Sequence, residues 1–256
     1  MKLIYILTIN SLLAFLFCCN TNTQTSSGKD YLARTNYEPK SDLDKEVAQI
    51  ASVEPLLKFP AKIGLARVDH GELTAIPQVE IEAWEIATKE LGSDFGEFVP
   101  VSRLVTAMVS KPSQKRNHRY HSNKDDGLHE IITAIRQGAA RQHIDVVLIY
   151  EVYGTGKSYL TPASITNLTI IGAYIMPGRK LKAKGFSSAL LIDVRNGYPY
   201  GTASAEVDEK SFVASISSRE KQEDLTEKAK ISAGVKLVPE VKNVMIKLKE
   251  ELKDKK

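Results

Sequence analysis

Beyond residue 19 the chain has no cysteine; its two, Cys18 and Cys19, stand side by side. That excludes a secreted domain stapled by disulfides. It also removes the thiolates around which structural zinc sites are normally built. Neither sign of charge dominates: 35 Lys and Arg are interspersed with 31 Asp and Glu, for a net +4. The basic stripe of a nucleic-acid-binding protein is therefore missing, and no nucleic-acid partner is expected. No G-x-S-x-G nucleophile elbow occurs. With 43% hydrophobic and 26% charged residues the chain is nonetheless ordinary in composition, with enough apolar side chains to bury a core.

Residues 1–19 open with one cation, Lys2, followed by an apolar run that stops at Asn20. The run is short against the roughly 20 apolar residues that span a bilayer, and Thr8, Asn10 and Ser11 interrupt it. It reads as a secretory signal. Two cysteines closing such a signal, before an Asn/Thr/Gln/Ser tract, resemble the lipobox of bacterial lipoproteins, in which a Cys becomes the acylated first residue. Cys19, preceded by the small Cys18, fits that pattern better than Cys18, preceded by Phe17, which stays as the alternative. Acyl chains contribute about 0.8 kcal/mol per buried CH₂, so several hold a protein on a membrane without a spanning helix. The expected organisation is a signal over 1–18, a tether over 19–58 and one folded domain over 59–256. The tether is too poor in apolar residues to order itself, apart from a short helix capped by Ser41 or Asp42 with Leu43, Val47 and Ile50 on one face.

From residue 59 the element types alternate. Residues 61–68 predict a strand with both faces covered. Pro77 begins a helix in which Val79, Ile81, Trp84, Ile86, Ala87 and Leu91 recur near a 3.6 period up to Gly92. Residues 98–110 read as a second strand, 111–126 as a polar loop, 127–142 as a helix and 146–152 as an apolar strand. Two further apolar runs, 165–176 and 187–194, precede Asn196-Gly197, a strong hairpin signal. The lysine-rich 178–186 reads as a solvated connection. A final helix over 223–252, interrupted by Pro239, carries Val241, Val244, Met245, Leu248 and Leu252 as a stripe that covers the sheet. The expected fold is α/β: one mixed sheet of about five strands with flanking helices, an antiparallel central hairpin and a C-terminal helix.

No catalytic, cofactor-binding or metal-binding residue set emerges. Gly154-Thr155-Gly156-Lys157-Ser158 looks like the tail of a phosphate-binding loop, but Glu151 stands where the first glycine belongs and no helix pattern follows. His118, His121 and His129, with Asp125 and Asp126, include potential metal ligands in a polar loop where spacing fixes nothing. They define the alternative function, a small periplasmic metal-dependent enzyme. His70 and His143 read as turn and helix-end residues. Asp193, alternating with apolar neighbours before a turn, reads as a strand-end hydrogen-bond acceptor, and Arg179, Lys180, Lys182 and Lys184 as a solvated cationic face.

The lipoprotein-like start, the strands AKIGLARV and HIDVVLIYEV, the run LTIIGAYIMPG and the segment FSSALLIDVRNGYPYGTASA together resemble the bacterial lipoproteins called rhombotail, or rhombotarget, lipoproteins. The similarity spans residues 59–252. More loosely, the order of elements resembles the α/β domain of the curli-secretion lipoprotein and the amino-terminal domain of TolB, a likeness of fold that licenses no activity. The resemblance implies a non-catalytic envelope lipoprotein without cofactor. It is expected to be anchored by acyl chains, sorted to the outer membrane facing the periplasm, and engaged with a protein partner or its own copies.

Overall fold

Apolar strands separated by amphipathic helices build a layered α/β body whose sheet is longer than the strand signals imply. A computed structural model describes residues 21–34, 37–109, 124–160, 179–213 and 218–253. Seven strands form one mixed sheet: β1 (Asn22–Thr23), β2 (Ala61–Asp69), β3 (Glu72–Thr74), β4 (Gly96–Pro100), β5 (Val146–Leu160), β6 (Arg179–Asp193) and β7 (Pro199–Val213). Their order is β1-β7-β6-β5-β2-β3, with β4 pairing beside β3 on the outer edge of β2. β2 runs parallel to β4 and β5, while β5, β6 and β7 are antiparallel neighbours. Six helices among the described residues accompany them: α1 (Gly28–Arg34), α2 (Asp42–Ala51), α3 (Gln78–Leu91), α4 (Arg103–Val109), α5 (Lys124–Arg141) and α6 (Ser218–Lys253).

The pleat of the sheet sorts side chains into two cores. Leu148, Tyr150, Val152 and Leu191 point to the layer of α3 and α6, where they meet Trp84, Leu237, Val241, Met245 and Leu248. Val147, Ile149 and Ile192 point the other way, onto Ile135 and Ala139 of α5. The C-terminal stripe is thus a core face. α6 does not break at Pro239 as expected: it is continuous over 36 residues. A proline inside a helix costs about 3 kcal/mol or more. Ala233, Leu237, Val241, Val244, Met245 and Leu248 carry one buried face across it, and at about 1.5–3 kcal/mol for each of the larger side chains their burial outweighs that cost.

Other expectations are corrected. Among the described residues the sheet has seven strands, not about five, because two short edge strands (β1, β3) carry too few apolar residues to be read as strands. Residues 98–110 hold only the end of β4 before α4 begins at Arg103. Ser102 ends the extended run: its carbonyl accepts from Thr106 N at 3.0 Å. β5 does not end at Val152 but runs to Leu160, and residues 179–186 are strand throughout. β6 therefore pairs with β5 in a 15-residue register from Val146↔Asp193 to Leu160↔Arg179. The run 165–176, expected as its neighbour, lies outside the described residues, as do the cysteines. The expected hairpin joins β6 to β7, with Gly197 at φ +78°.

At the front of the chain, the polar stretch expected to tether is bound from residue 22 onward. Asn22 and Thr23 pair with Thr202 and Gly201 of β7, and Gln24 N donates to Tyr200 O at 2.8 Å. Thr23 and Thr25 hydroxyls donate to Glu251 at 2.8 and 3.0 Å. Composition hides this docking because backbone and hydroxyl hydrogen bonds, not apolar burial, hold it.

Candidate functional site

A line of charged residues runs between the sheet and α6. Arg67 and Asp69 stand on the α6 side of β2, alternating with Ala66 and Val68, which face the other core. Arg67 Nε donates to Glu80 Oε1 at 3.2 Å, and Tyr150 OH to Glu80 Oε2 at 2.7 Å. Glu80 is fully buried. Burial lifts its carboxyl above the usual range even though Tyr150 and Arg67 both donate to it; burial, with that carboxyl alongside, also lifts the Tyr150 phenol. Further out, Lys230 Nζ reaches Asp69 Oδ2 at 2.6 Å and Glu227 Oε2 at 2.8 Å, and Arg67 Nη1 lies 3.5 Å from Asp69. Burial pulls Lys230 down, but the bonds to Asp69 and Glu227 outweigh it and hold the ammonium charged. Two cations thus meet three carboxylates. Glu80 nests against Gly234 of α6, where a Cβ would come within 2.7 Å of its carboxylate.

Reading the sequence missed Glu80. The α3 pattern proposed Val79 and Ile86 for the core, yet both are exposed at 57%, and the buried face is Glu80, Trp84 and Ala87. Only the i, i+4, i+7 spacing of those three marks it.

Above this network lies an open groove of about 580 Å³, lined among others by His70, Glu151, Tyr153, Gln222, Glu227 and Lys230. Gly154 and Gly156 form its floor, and they explain the false phosphate-loop signal. A Cβ on Gly154 would stand 2.8 Å from Thr226 Cγ2, and one on Gly156 2.2 Å from Gln222 Nε2. These glycines admit the crossing helix inside a continuous strand, rather than forming a turn that leaves it.

The opposite face of the distal β5–β6–β7 sheet is open: no helix or strand among the described residues covers it. Direct cross-strand partners share a face, so the register writes it out in rows. Tyr159, Lys180 and Phe212 form one row; Lys157, Lys182 and Lys210 the next; then Thr155, Lys184 and Asp208; then Tyr153, Phe186 and Glu206. Tyr153 stacks on Phe186 with centroids 4.9 Å apart. Lys180 lies 5.5 Å over the Phe212 ring and Lys182 5.3 Å over Tyr159. Lys184 is hydrogen-bonded to Glu206, which raises its pKa. The second row sets three exposed lysines directly opposite one another, an arrangement of like charges that destabilises a sheet. The lysines read as a solvated face are therefore half of a ladder with aromatic side chains.

His118, His121, Asp125 and Asp126 have no described side-chain placement, and His129 is exposed on α5. His70 and His143 occupy a turn and the end of α5, at φ +52° and +53°. No group of three potential metal ligands occurs among the described residues. Asp193 is a strand-end acceptor: Arg195 N and Nη2 donate to it at 2.9 Å and Tyr200 OH at 3.0 Å. Burial pushes its carboxyl up, but these donors outweigh it and hold it below the usual range.

No helix among the described residues is long and apolar enough to cross a membrane. No family model matches the chain, and no curated protein sequence does; the rhombotail likeness is not confirmed. Among solved structures, the chain is similar to the PelC dodecamer from Paraburkholderia phytofirmans, at 12% identity over 73% of this chain and 86% of that one, with a TM-score of 0.30. It is also similar to the lipoprotein GNA1162 from Neisseria meningitidis, at 18% identity over 59% and 85% (TM-score 0.28). A third is the hypothetical protein CT253 from Chlamydia trachomatis, at 13% identity over 73% and 98% (TM-score 0.29).

Proposed function

We propose that this chain is a lipid-anchored protein of the bacterial cell envelope, acylated at Cys19, that works by binding an acidic protein surface through the open face of β5–β6–β7. The signal-like start and the cysteine pair before a polar tract support the anchor, and the rhombotail-like pattern adds outer-membrane sorting toward the periplasm. The observation that carries the binding role is the row Lys157–Lys182–Lys210. Three like charges held opposite one another oppose folding, and carboxylates of a partner would relieve them. Flanking rings Tyr153, Tyr159 and Phe212, exposed at 52%, 45% and 62%, supply apolar contact of the kind enriched in interface cores. A non-catalytic role is supported by the titratable groups themselves: Glu80, Tyr150, Asp193 and Lys230 are all tied into packing networks.

Lys182→Glu tests this. It turns the row into Lys–Glu–Lys and should raise stability by about 0.2–1 kcal/mol. A photo-crosslinking residue in place of Tyr153 should capture one defined species in intact cells, and Lys182→Glu should abolish that adduct. An adduct unaffected by Lys182→Glu would reject the lysine row as a binding element. For the anchor, replacing both Cys18 and Cys19 by Ser should release the protein from membranes; unchanged partitioning would sink it.

A further inference from the structure

Helix α2 has what a stable helix needs at its start and lacks what it needs along its length. Ser41 Oγ accepts from Asp44 N at 3.1 Å while the Asp44 carboxylate accepts from Ser41 N at 2.8 Å, a complete capping box. Yet none of its ten residues is buried. Leu43, Val47 and Ile50, at i, i+4 and i+7, are exposed at 68%, 45% and 67%. A helix this short is marginal in water by itself, and in proteins such helices are held by burying an apolar face. This face is presented to nothing among the described residues.

The surroundings indicate what covers it. The end of α2 is fixed to the front of the chain: a Cβ on Gly28 would overlap Ala51 O, and Ser27 Oγ and Lys29 N donate to Glu54 Oε1 at 3.0 Å. Tyr198 OH donates to Ser26 O, and Asn196 Nδ2 to Glu54 O, both at 2.7 Å. The α1–α2 pair is thus clamped at the β6–β7 turn, the same end of the sheet where β1 joins β7. From Cys19 to Asn22 is three residues, at most roughly 11 Å of extended chain, and from Asn22 to Ser27 five more, at most roughly 18 Å. Acyl chains on Cys19 would hold this end against the bilayer. At that end Leu56 is 42% exposed, and Lys58 and Lys253, both exposed, line one recess with Phe59 and Leu252, cations placed to meet anionic headgroups; Lys249 in the same recess is taken up by Asp94 and the Phe95 ring. Tyr31 and Tyr37, on the same unit, are also exposed, as aromatic side chains at a membrane interface are.

We infer that α2 is an interfacial helix that lays Leu43, Val47 and Ile50 into the headgroup boundary of the anchoring membrane, fixing the orientation of the body on the bilayer. This rests on the acyl anchor proposed above. The helix charges, Asp42, Asp44, Lys45 and Glu46, flank the stripe or lie opposite it, leaving the face itself apolar. An interfacial helix of this kind sits about 5–10 Å deep.

The full acylated chain carrying Val47→Cys, labelled with an environment-sensitive fluorophore and placed in vesicles of phosphatidylethanolamine and phosphatidylglycerol, tests the inference. Leu160→Cys is the control, one β6 length away at the far end of the hairpin, about 45 Å for a strand of this size. Lipids carrying a quencher near the headgroup should extinguish emission at position 47 and leave position 160 unchanged. Acylation is read separately by mass spectrometry and vesicle binding by flotation. Acylated, vesicle-bound protein with no quenching at 47 overturns the docking and leaves the anchor standing. Protein without acyl chains that stays off the vesicles overturns both. A shielded probe that responds to protein concentration and not to lipid overturns the docking in favour of a second copy covering α2.

Discussion

Asp193 and Tyr200 show how much of the molecule hangs on single buried groups. The Tyr200 hydroxyl donates to Asp193 and accepts from Leu56 N and Leu57 N at 2.8 and 2.7 Å, joining the segment before β2 to the β6–β7 hairpin. Tyr200→Phe leaves those amides and one carboxylate oxygen short of a partner, so stability should fall by about 1–3 kcal/mol, read from the denaturant midpoint. Asp193 adds a pH signature. Its folded pKa is depressed, so the folded state binds its proton less readily than the unfolded chain. Its contribution is therefore fully present above the ordinary carboxylate pKa of about 4 and is lost as pH falls through the depressed value. The stability difference between the parent chain and Asp193→Asn should be largest near neutrality and shrink as the solution is acidified below about pH 4. The role of Asp193 was legible because a carboxylate between apolar residues at a strand end needs local donors. Glu80 was not, because in a helix that also contains Glu82 and Glu85 only its spacing to Trp84 and Ala87 marks which glutamate faces inward, and the apolar Val79 and Ile86 obscure that spacing.

At the scale of elements, the legible parts were those whose period is carried by apolar residues: α3 began where Pro77 suggested, and the strands of the core fell where Ile, Leu and Val cluster. The distal hairpin was lost because its open face is polar. Residues 179–186 alternate Lys180, Lys182 and Lys184 with Leu181, Ala183 and Gly185, a strict period of two that lysine content disguised as a connection. The glycines on its covered face are needed for space. A Cβ on Gly185 would meet Ala229 O at 1.9 Å, so α6 crosses β6 backbone to backbone. Gly185→Ala forces the helix away and should destabilise by roughly 1–3 kcal/mol in chemical unfolding. Gly127, in the first half of α5 with nothing within 4 Å of a Cβ, has no such reason to remain glycine. Gly127→Ala should stabilise by about 0.5–1 kcal/mol, and a loss there comparable to Gly185→Ala would reject close approach as the distinguishing cause.

Taken whole, the molecule ties residues 22–25 to the last turns of α6, a closure that bears on how the body would sit on the anchor proposed above. Glu251, near the end of α6, receives Thr23 on one oxygen and Thr25 on the other across more than 200 residues of chain. Were the pairing at residue 22 released, the next hold on the front of the chain would be Ser26, whose carbonyl accepts from Tyr198 OH. Glu251→Ala removes both acceptors. With each hydrogen bond worth about 1 kcal/mol net, the Gln24 amide, which donates to Tyr200 O, should exchange with solvent on the order of ten- to thirty-fold faster. The amides of β5 and β6 should keep their protection, since the large buried face of α6 from Ala233 to Leu248 is untouched. Equal acceleration across the whole sheet would mean that β1 is integral to the core and not a latch on it. No acceleration would mean that the pairing of Asn22 and Thr23 with β7 holds the front of the chain without help from the C-terminal helix.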